Sequence, residues 1–442
     1  MRESGVLDGL RWLWAVVMVQ LMPVHRGVQV RHSPWPHGAT QYWRSGEMSV
    51  IASALPGDRP VAMTIVVGAG SALAHEPKPG AAHYLEHVIA MQGGGSLARR
   101  LLSLGGAFRA LTSHTYTAFS YECAGDEWDV ALPVLLDGVV APVFSEADVD
   151  NQRQNILTEI ATVEGDPEEL VQTELYNLMF NHHPMRFEVL GNSRAVSTMR
   201  GTDLRRFHSA TYTPRNMVLT VVGAVDPQRV QNAVASMRKD SVRIRPTRSG
   251  ATSSGRPEMG ATGPHRRERL VSLYVPHLCV GFRDPRVPVR GTDLALRDVT
   301  AEIVLGAVFD EDVVQALRNE GAVEGRLHRE HYGHETFAVF LVRLETRRPE
   351  RAEELLAAAV ERVIRCGLST QQIDDQRAVG IRKLWEGMLD PLAVGLGLGQ
   401  LELLGLTVQQ LHATWERVTA WQVNERLHEC FTEANKCVAV VR

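Results

Sequence analysis

Short apolar runs and helical repeats alternate along this chain. Residues 48–52 and 61–67 are nearly continuous apolar stretches separated by Pro56-Gly57-Asp58, which predicts two buried strands joined by a turn. From 130 to 140, and again from 149 to 163, apolar residues recur at three- and four-residue intervals, which predicts amphipathic helices. The first half therefore combines strands with amphipathic helices, whose apolar faces are expected to pack on a sheet.

The second half echoes this order of elements. Apolar and β-branched residues predict strands at 270–282, 337–344 and 438–441. Helical spacing predicts helices at 293–317, 351–365, 371–386 and 411–428. The histidines at 328, 331 and 334 lie in a polar tract, which we expect to form an exposed loop.

These elements predict an α+β chain that divides into four segments. We expect an N-terminal extension (1–45), a first domain (46–238), a linker (239–268) and a second domain (269–442). The linker is rich in Arg, Pro, Gly and Ser, a composition typical of a flexible tether.

Five residues in one predicted helix carry the candidate chemistry: His83-Tyr84-Leu85-Glu86-His87. At about 100° per residue, the two histidines lie on one face a turn apart, with Glu86 within about 100° of them, while Tyr84 and Leu85 point elsewhere and can pack. Two imidazoles beside a carboxylate suit a catalytic zinc site, and this order of residues marks inverted zinc peptidases. A helix with two structural histidines is the alternative, since the chain has 17 His in 442 residues.

A third ligand is expected on a second helix. Glu159 lies among its apolar positions, three residues after Ile156 and four before Val163. A lone carboxylate on such a stripe is costly unless an ion pairs with it, and zinc would do so. A solvated Glu159 at the edge of the stripe is the other interpretation. Glu164 competes as the ligand, but it lies where glycine and proline end the helix.

These segments resemble the catalytic domain of the pitrilysin/insulinase family of metallopeptidases, nearest its mitochondrial-processing-peptidase-like branch. The similar pieces are the stretches at 70–71, 80–87, 108–113, 142–144, 156–160, 212–217 and 221–223. The resemblance implies one zinc ion per chain, held by His83, His87 and Glu159, with Glu86 as general base. It also implies two structurally repeated domains, each a mostly antiparallel sheet packed with helices.

The implied activity is zinc-dependent endopeptidase hydrolysis of short or unfolded peptides, such as precursor or leader peptides. A catalytic zinc lowers the pKa of its water from about 15.7 to about 7. Glu86 would accept the water's proton and pass it to the leaving amine. A non-catalytic or weakly active subunit that binds peptide or a partner is the alternative function. A zinc hydrolase acting on a non-peptide amide would use the same chemistry.

Three positions depart from the family pattern. Gln152 replaces a carboxylate seven residues before the last ligand, and we expect it to hydrogen-bond beside the site. Arg109 replaces an asparagine in the strand where Arg109, Ala110 and Thr112 are expected to bind substrate. Arg318 matches a substrate-binding arginine of the family's second domain, but the tyrosine expected seven residues later is missing. We therefore expect a second chain of similar fold that supplies the Arg/Tyr pair, as a heterodimer or alternatively a homodimer.

Composition adds little to this chemistry but bears on location. A net charge of −4 gives no indication of nucleic-acid or membrane binding. The five cysteines are scattered, which favours a reducing compartment, and we expect a cytoplasmic protein without a membrane span. Residues 12–24 superficially resemble a signal peptide and leave export as an alternative, although they are too short to cross a bilayer.

Overall fold

The structure is a computed structural model that describes residues 40–73, 76–91, 96–240, 265–387 and 390–442. The predicted extension up to residue 39, with its apolar stretch, and residues 241–264 of the predicted linker lie outside the described residues.

The strands fall into two sets, and each set builds one sheet in its own compact unit. The strands of the first sheet are β1 (Thr40–Ser45), β2 (Met48–Ala54), β3 (Val61–Val67), β4 (Ala107–Thr112), β5 (Thr117–Cys123) and β6 (Met217–Gly223). Those of the second are β7 (Arg266–Arg269), β8 (His277–Arg283), β9 (His328–Gly333), β10 (Ala338–Glu345) and β11 (Lys436–Val441).

Helices fill the intervals between these strands. In chain order they are α1 (Ala81–Met91), α2 (Leu97–Leu102), α3 (Trp128–Val140), α4 (Glu146–Glu164), α5 (Pro167–Met179), α6 (Ser193–Ser197), α7 (Gly201–Thr211), α8 (Pro227–Asp240), α9 (Gly291–Val308), α10 (Glu311–Asn319), α11 (Pro349–Cys366), α12 (Thr370–Glu386), α13 (Pro391–Leu403), α14 (Val408–Arg417) and α15 (Ala420–Cys430).

The first sheet has the order β1-β2-β6-β3-β5-β4. Its neighbours are antiparallel except β2 and β6, which are parallel. Every residue of β3 and β6 is buried, because helices cover both faces of the sheet centre. β1, which comes from the last six residues of the predicted extension, and β4 form the two edges.

The second sheet repeats this arrangement. Its order is β7-β11-β8-β10-β9, which matches β2-β6-β3-β5-β4 strand for strand. The match includes direction, since β7 is parallel to β11 and the other neighbours are antiparallel. The predicted α+β fold of two repeated domains is thereby confirmed.

The compact units are discontinuous in sequence. One contains the described residues of Met1–Thr158, Val189–Ser253 and Lys383–His412, and the other those of Glu159–Glu188, Ser254–Arg382 and Ala413–Arg442. Accordingly, α13 packs on β3 and β6, whereas α5 packs on β8 and β11. Where each repeat begins and ends in the sequence stays a prediction.

Glycines let α13 approach the first sheet closely. A Cβ added at Gly399 would lie 2.4 Å from Val66 Cγ2, and one added at Gly395 would lie 2.9 Å from Thr220 Oγ1. The helix is almost uniformly apolar and buried, so it carries no amphipathic repeat from which it could be predicted.

Gly399→Ala is therefore expected to destabilise the protein although alanine favours helix. Overpacking costs roughly 1–3 kcal/mol, and the gain in helix propensity offsets at most about 1 kcal/mol. A urea denaturation midpoint measures the change. Gly325→Ala, where an added methyl meets no heavy atom within 4 Å, is the control. Equal midpoints for Gly399→Ala and the unaltered chain would contradict the tight packing of α13.

The predicted exposed loop around His331 is wrong. Residues 328–333 form β9, which pairs with β10, and His331 is only 5% exposed. The polar tract can form a strand that buries His331 because this histidine meets charged partners. Its Nε2 lies 3.5 Å from Asp284 Oδ2, and its Nδ1 lies 3.8 Å from Asp298 Oδ1.

Two arginines complete this buried charge cluster of the second unit. Arg426 on α15 donates to the carboxylate of Asp284, and both side chains are 0% exposed. Arg297 Nε on α9 donates to Asp298 Oδ1 at 2.7 Å. Desolvation favours the protonated form of Asp284, but His331 and the charge of Arg426 outweigh it and hold the pKa of that carboxyl below its ordinary value. The core of this unit is thus partly ionic.

Among the described residues, no single helix is long and apolar enough to cross a membrane; only the bent pair α13 and α14 meets those criteria together, by length and composition alone.

Candidate metal centre

The helix of the histidine motif begins at a tight junction. Gly80 precedes α1 with φ +89°, and a Cβ there would lie 2.4 Å from the carbonyl oxygen of Leu190, so only glycine fits. The carboxylate of Glu76 accepts the backbone N–H groups of Gly80 at 3.0 Å and Ala82 at 2.7 Å. These bonds satisfy free donors of the first helical turn. Burial raises the pKa of Glu76 to about 8, although the same bonds favour its charged form.

The apolar side of α1 orients the motif. Tyr84 and Leu85 are fully buried, as predicted for the two residues that point away from the ligands. The hydroxyl of Tyr84 donates to the backbone carbonyl of Val149 on α4 at 2.7 Å. This bond places the start of α4 against α1, and packing of Tyr84 and Leu85 fixes which way the other face turns.

On that other face, His83, Glu86 and His87 come together. Ligand atoms of the three side chains all lie within 4.8 Å of one another. The two imidazole rings have centroids 4.5 Å apart and planes inclined by 60°. Glu86 is buried at 7% exposure, while both histidines are half-buried. The local geometry predicted from the spacing is therefore present.

The protonation state of His83 suits a metal. Desolvation by burial, followed by the nearby His87, lowers the pKa of His83 to about 3. Its imidazole is therefore neutral around pH 7 and keeps a lone pair for coordination. Two imidazoles with an adjacent carboxylate fit the donor set of zinc.

A strand residue contacts the carboxylate of the motif. Thr112, the last residue of β4, donates from Oγ1 to Glu86 Oε2 at 3.1 Å. Its partner in the β4–β5 register is Thr117, whose Oγ1 lies 3.4 Å away and donates to the carbonyl of Ala69 at 2.9 Å. The predicted substrate residue Thr112 thus reaches the candidate base.

The remaining predicted residues of the metal site lie on α4. Gln152 is buried at 8% exposure and accepts from Asn155 Nδ2 at 3.2 Å. Glu159 is half-buried one residue before the buried Ile160. Its role as third ligand, and the role of Gln152 beside the site, stay predictions.

The predicted substrate residues occupy two surfaces. Arg109 and Ala110 lie on β4, which pairs only with β5 within the described first sheet. Arg109 is exposed and Ala110 half-buried. Arg318 lies on α10 in the second unit, exposed and paired with Glu311 at 3.1 Å. Substrate contact by these residues stays a prediction.

Sequence reasoning missed Glu76 and Thr117. An acidic residue shortly before a predicted helix start is a recognisable signal for binding the first-turn N–H groups, and it could have identified Glu76. Thr117 carries no such signal, because its place beside Thr112 depends on hairpin register.

Comparison with known families agrees with this geometry. Residues 49–193 match the family model described as Insulinase (Peptidase family M16), and residues 199–379 match the model described as Peptidase M16 inactive domain. The first match contains the whole histidine motif.

Related sequences are named as zinc proteases. An uncharacterized zinc protease of Mycobacterium tuberculosis is 27% identical over 246 residues, covering 54% of this chain and 55% of the relative. The chain thus spans about half the length of the mycobacterial relatives it matches. An uncharacterized zinc protease of Bacillus subtilis is 21% identical over 328 residues, covering 73% of this chain and 78% of the relative.

Solved structures share the fold. An M16-like peptidase from Alicyclobacillus acidocaldarius superposes with a TM-score of 0.81 at 21% identity, covering 91% of this chain and 98% of the other. Pitrilysin superposes with a TM-score of 0.74 at 19% identity, covering 95% of this chain and 46% of pitrilysin. The branch within the family stays a prediction. With both of its halves matched by family models and its histidine motif assembled, this chain belongs to the insulinase (M16) family of peptidases.

Proposed function

We propose that this protein is a zinc-dependent endopeptidase that hydrolyses short or unfolded peptides, with precursor or leader peptides as the substrate class. The observation that carries the proposal is the convergence of His83, Glu86 and His87, whose ligand atoms lie within 4.8 Å of one another. Membership in a peptidase family and the zinc-protease names of its relatives support it.

His83, His87 and Glu159 would hold one zinc ion per chain. When bound, zinc supplies a Lewis acid that polarises the peptide carbonyl and makes water a stronger acid. The neutral state of His83 favours binding over a wide pH range, because no proton has to leave the ring near neutrality.

Glu86 performs the proton transfers in this mechanism. It accepts the proton of the attacking water and then delivers it to the nitrogen of the departing amine, so no covalent bond forms between the chain and the peptide. Its burial at 7% exposure keeps bulk water from competing for the carboxylate. Thr112 holds one of its oxygens at 3.1 Å.

The edge of the first sheet suits an extended substrate. β4 is the terminal strand of that sheet in the described residues, and its outer backbone groups are available for strand addition. Arg109 and Ala110 on this strand would contact the peptide. Since Arg109 replaces the family's asparagine, we propose that the side-chain grip on the peptide backbone is altered here.

A second chain is part of the proposal. Arg318 has no tyrosine seven residues further on, so a partner of similar fold would supply the Arg/Tyr pair, in a heterodimer or alternatively a homodimer. All five cysteines are free thiols, which supports a reducing, cytoplasmic location.

Zinc content of single variants tests the metal site. We expect His87→Ala and Glu159→Gln to lose most of their zinc, because each removes one of three ligands. His428→Ala and Glu164→Gln make the same chemical changes at exposed positions and should keep one zinc per chain. Metal analysis of the purified proteins, beside cleavage of quenched peptides, measures both outcomes. Full zinc in Glu159→Gln would reject that residue as ligand.

Gel filtration of the same preparation tests whether cleavage requires a second chain. Cleavage assayed across the fractions should be weak for the isolated monomer and should rise in the fractions that hold a dimer. A fully active monomer would contradict the need for a second chain.

A non-catalytic, peptide-binding subunit is the second candidate function. Arg109, Gln152 and the missing tyrosine favour it, since each departs from the family pattern. Zinc binding without cleavage in every fraction, including after addition of a partner chain, would support this function over the first.

A further inference from the structure

The hydrogen bond between Thr112 and Glu86 joins residues that are far apart in sequence. Thr112 Oγ1 donates to Glu86 Oε2 at 3.1 Å, from the last position of β4 to the middle of α1. A threonine hydroxyl has one proton, and an ionised carboxylate only accepts. Thr117 gives its own proton to the carbonyl of Ala69, so toward Thr112 it could only accept and would compete with Glu86 for the one Thr112 proton. The contact of Thr112 with Glu86 is the shorter of the two, at 3.1 Å against 3.4 Å.

The strand presents its two faces to different partners. Leu111 packs against a cluster that contains Val66 and Leu396, which is the side covered by α13. Successive side chains of a strand point to opposite faces. Thr112 therefore points toward the α1 side, where the candidate base lies.

The second unit shows that this contact follows from the fold. Gly80, directly before α1, and Gly291, the first residue of α9, both have positive φ. Glu86 and Arg297 each lie six residues after their glycine. Thr112 in the β4–β5 hairpin and Gly333 in the β9–β10 hairpin each belong to the residue pair next to the turn.

The corresponding pair in that unit is also in contact. A Cβ added at Gly333 would lie 2.6 Å from Arg297 Nη2. In both units the fold therefore brings the last residue of the first hairpin strand against the helix residue six positions after the glycine. The residue types at these two positions decide whether the contact is a hydrogen bond or only close packing. A buried arginine requires glycine opposite it, whereas a carboxylate opposite threonine gains a hydrogen bond.

We propose that Thr112 is a positioning residue for Glu86, and that its hydroxyl holds the carboxylate beside His83 and His87 instead of binding substrate. This inference rests on the proposed peptidase function. A carboxylate with one oxygen fixed presents the other in a defined direction. Misplacement by about 1 Å can cost a reaction about 100-fold.

Kinetics of three variants of the full chain test this role. Thr112→Val keeps the shape and removes the hydroxyl, Thr112→Ser keeps the hydroxyl, and Thr202→Val removes an exposed threonine as control. We expect Thr112→Val to lower kcat roughly 10- to 100-fold with KM and zinc content unchanged, the loss of a hydrogen bond to a charged group. Thr112→Ser and Thr202→Val should stay near the unaltered enzyme. A raised KM with unchanged kcat would instead assign Thr112 to substrate binding and overturn the inference.

Unfolding of the metal-free protein gives a readout independent of turnover. Denaturation midpoints of Thr112→Val, Glu86→Ala and the double variant form a cycle, and we expect non-additive shifts because the two groups interact. Additive shifts would overturn the inference. Unaltered protein that binds zinc yet cleaves no peptide would contradict the proposed function, whereas full turnover in Thr112→Val would contradict only the role of Thr112.

Discussion

Glu86→Gln should abolish most peptide cleavage while leaving one zinc per chain. The amide has nearly the shape of the carboxylate but cannot accept the water's proton, and positioned general acid–base groups contribute about 100- to 10,000-fold to rate. Zinc should remain because His83, His87 and Glu159 are untouched in this variant. Quenched-peptide cleavage and metal analysis on the same preparation measure the two effects.

The same substitution at Glu164 is the matched control for this experiment. Glu164 is exposed near the end of α4, and its amide variant should keep both zinc and turnover. Turnover at the unaltered rate in Glu86→Gln would remove Glu86 from its role as general base. Loss of zinc in that variant would instead make Glu86 a ligand, and the proton acceptor would have to be sought elsewhere.

Arg426→Met should strongly destabilise the second unit. It leaves the carboxylate of Asp284 buried at 0% exposure without its arginine, and breaking a buried ion pair costs about 3–5 kcal/mol. His331, at 3.5 Å, provides only partial compensation. A lower urea midpoint, with faster hydrogen exchange in peptides of β8 and β9, is the expected result.

Two further variants separate charge from packing. Arg351→Met removes an exposed arginine that pairs with Glu354, and its midpoint should barely change, because surface ion pairs contribute little. The double change Arg426→Met with Asp284→Leu removes both buried charges and should recover part of the lost stability. An unchanged midpoint for Arg426→Met alone would show that the buried pair does not stabilise this unit.

Residue spacing along one helix was sufficient to predict the geometry of the histidine motif. His83, Glu86 and His87 meet because the helix itself puts residues three and four apart on one face, and no distant contact is needed. The strands β2 and β3 were predictable for a similar reason, since their continuous apolar runs lie between turn residues. The contact between Thr112 and Glu86 cannot be predicted from such spacing, because it depends on the register of the β4–β5 hairpin.

Elements with weak local signals cannot be predicted from their own residues. The tract around His331 appeared too polar for a core, but Asp284 lies 47 positions earlier and Asp298 33 positions earlier in the sequence, so neither partner could be read from the tract itself. α13 has almost no polar face, because it covers β3 and β6, strands from the other half of the sequence. In both cases the stabilising partner is distant along the chain.

The order of residues by itself determined the inverted motif, the alternation of strands with helices, and through resemblance the family. Tertiary structure alone decided that Thr112 contacts Glu86, that α5 and α13 cover sheets built by the opposite half, and that charges fill part of the second core. The physical reason is range: a helix or a turn is set by bonds between near neighbours, whereas burial and ion pairing depend on which distant segments the folded chain brings together.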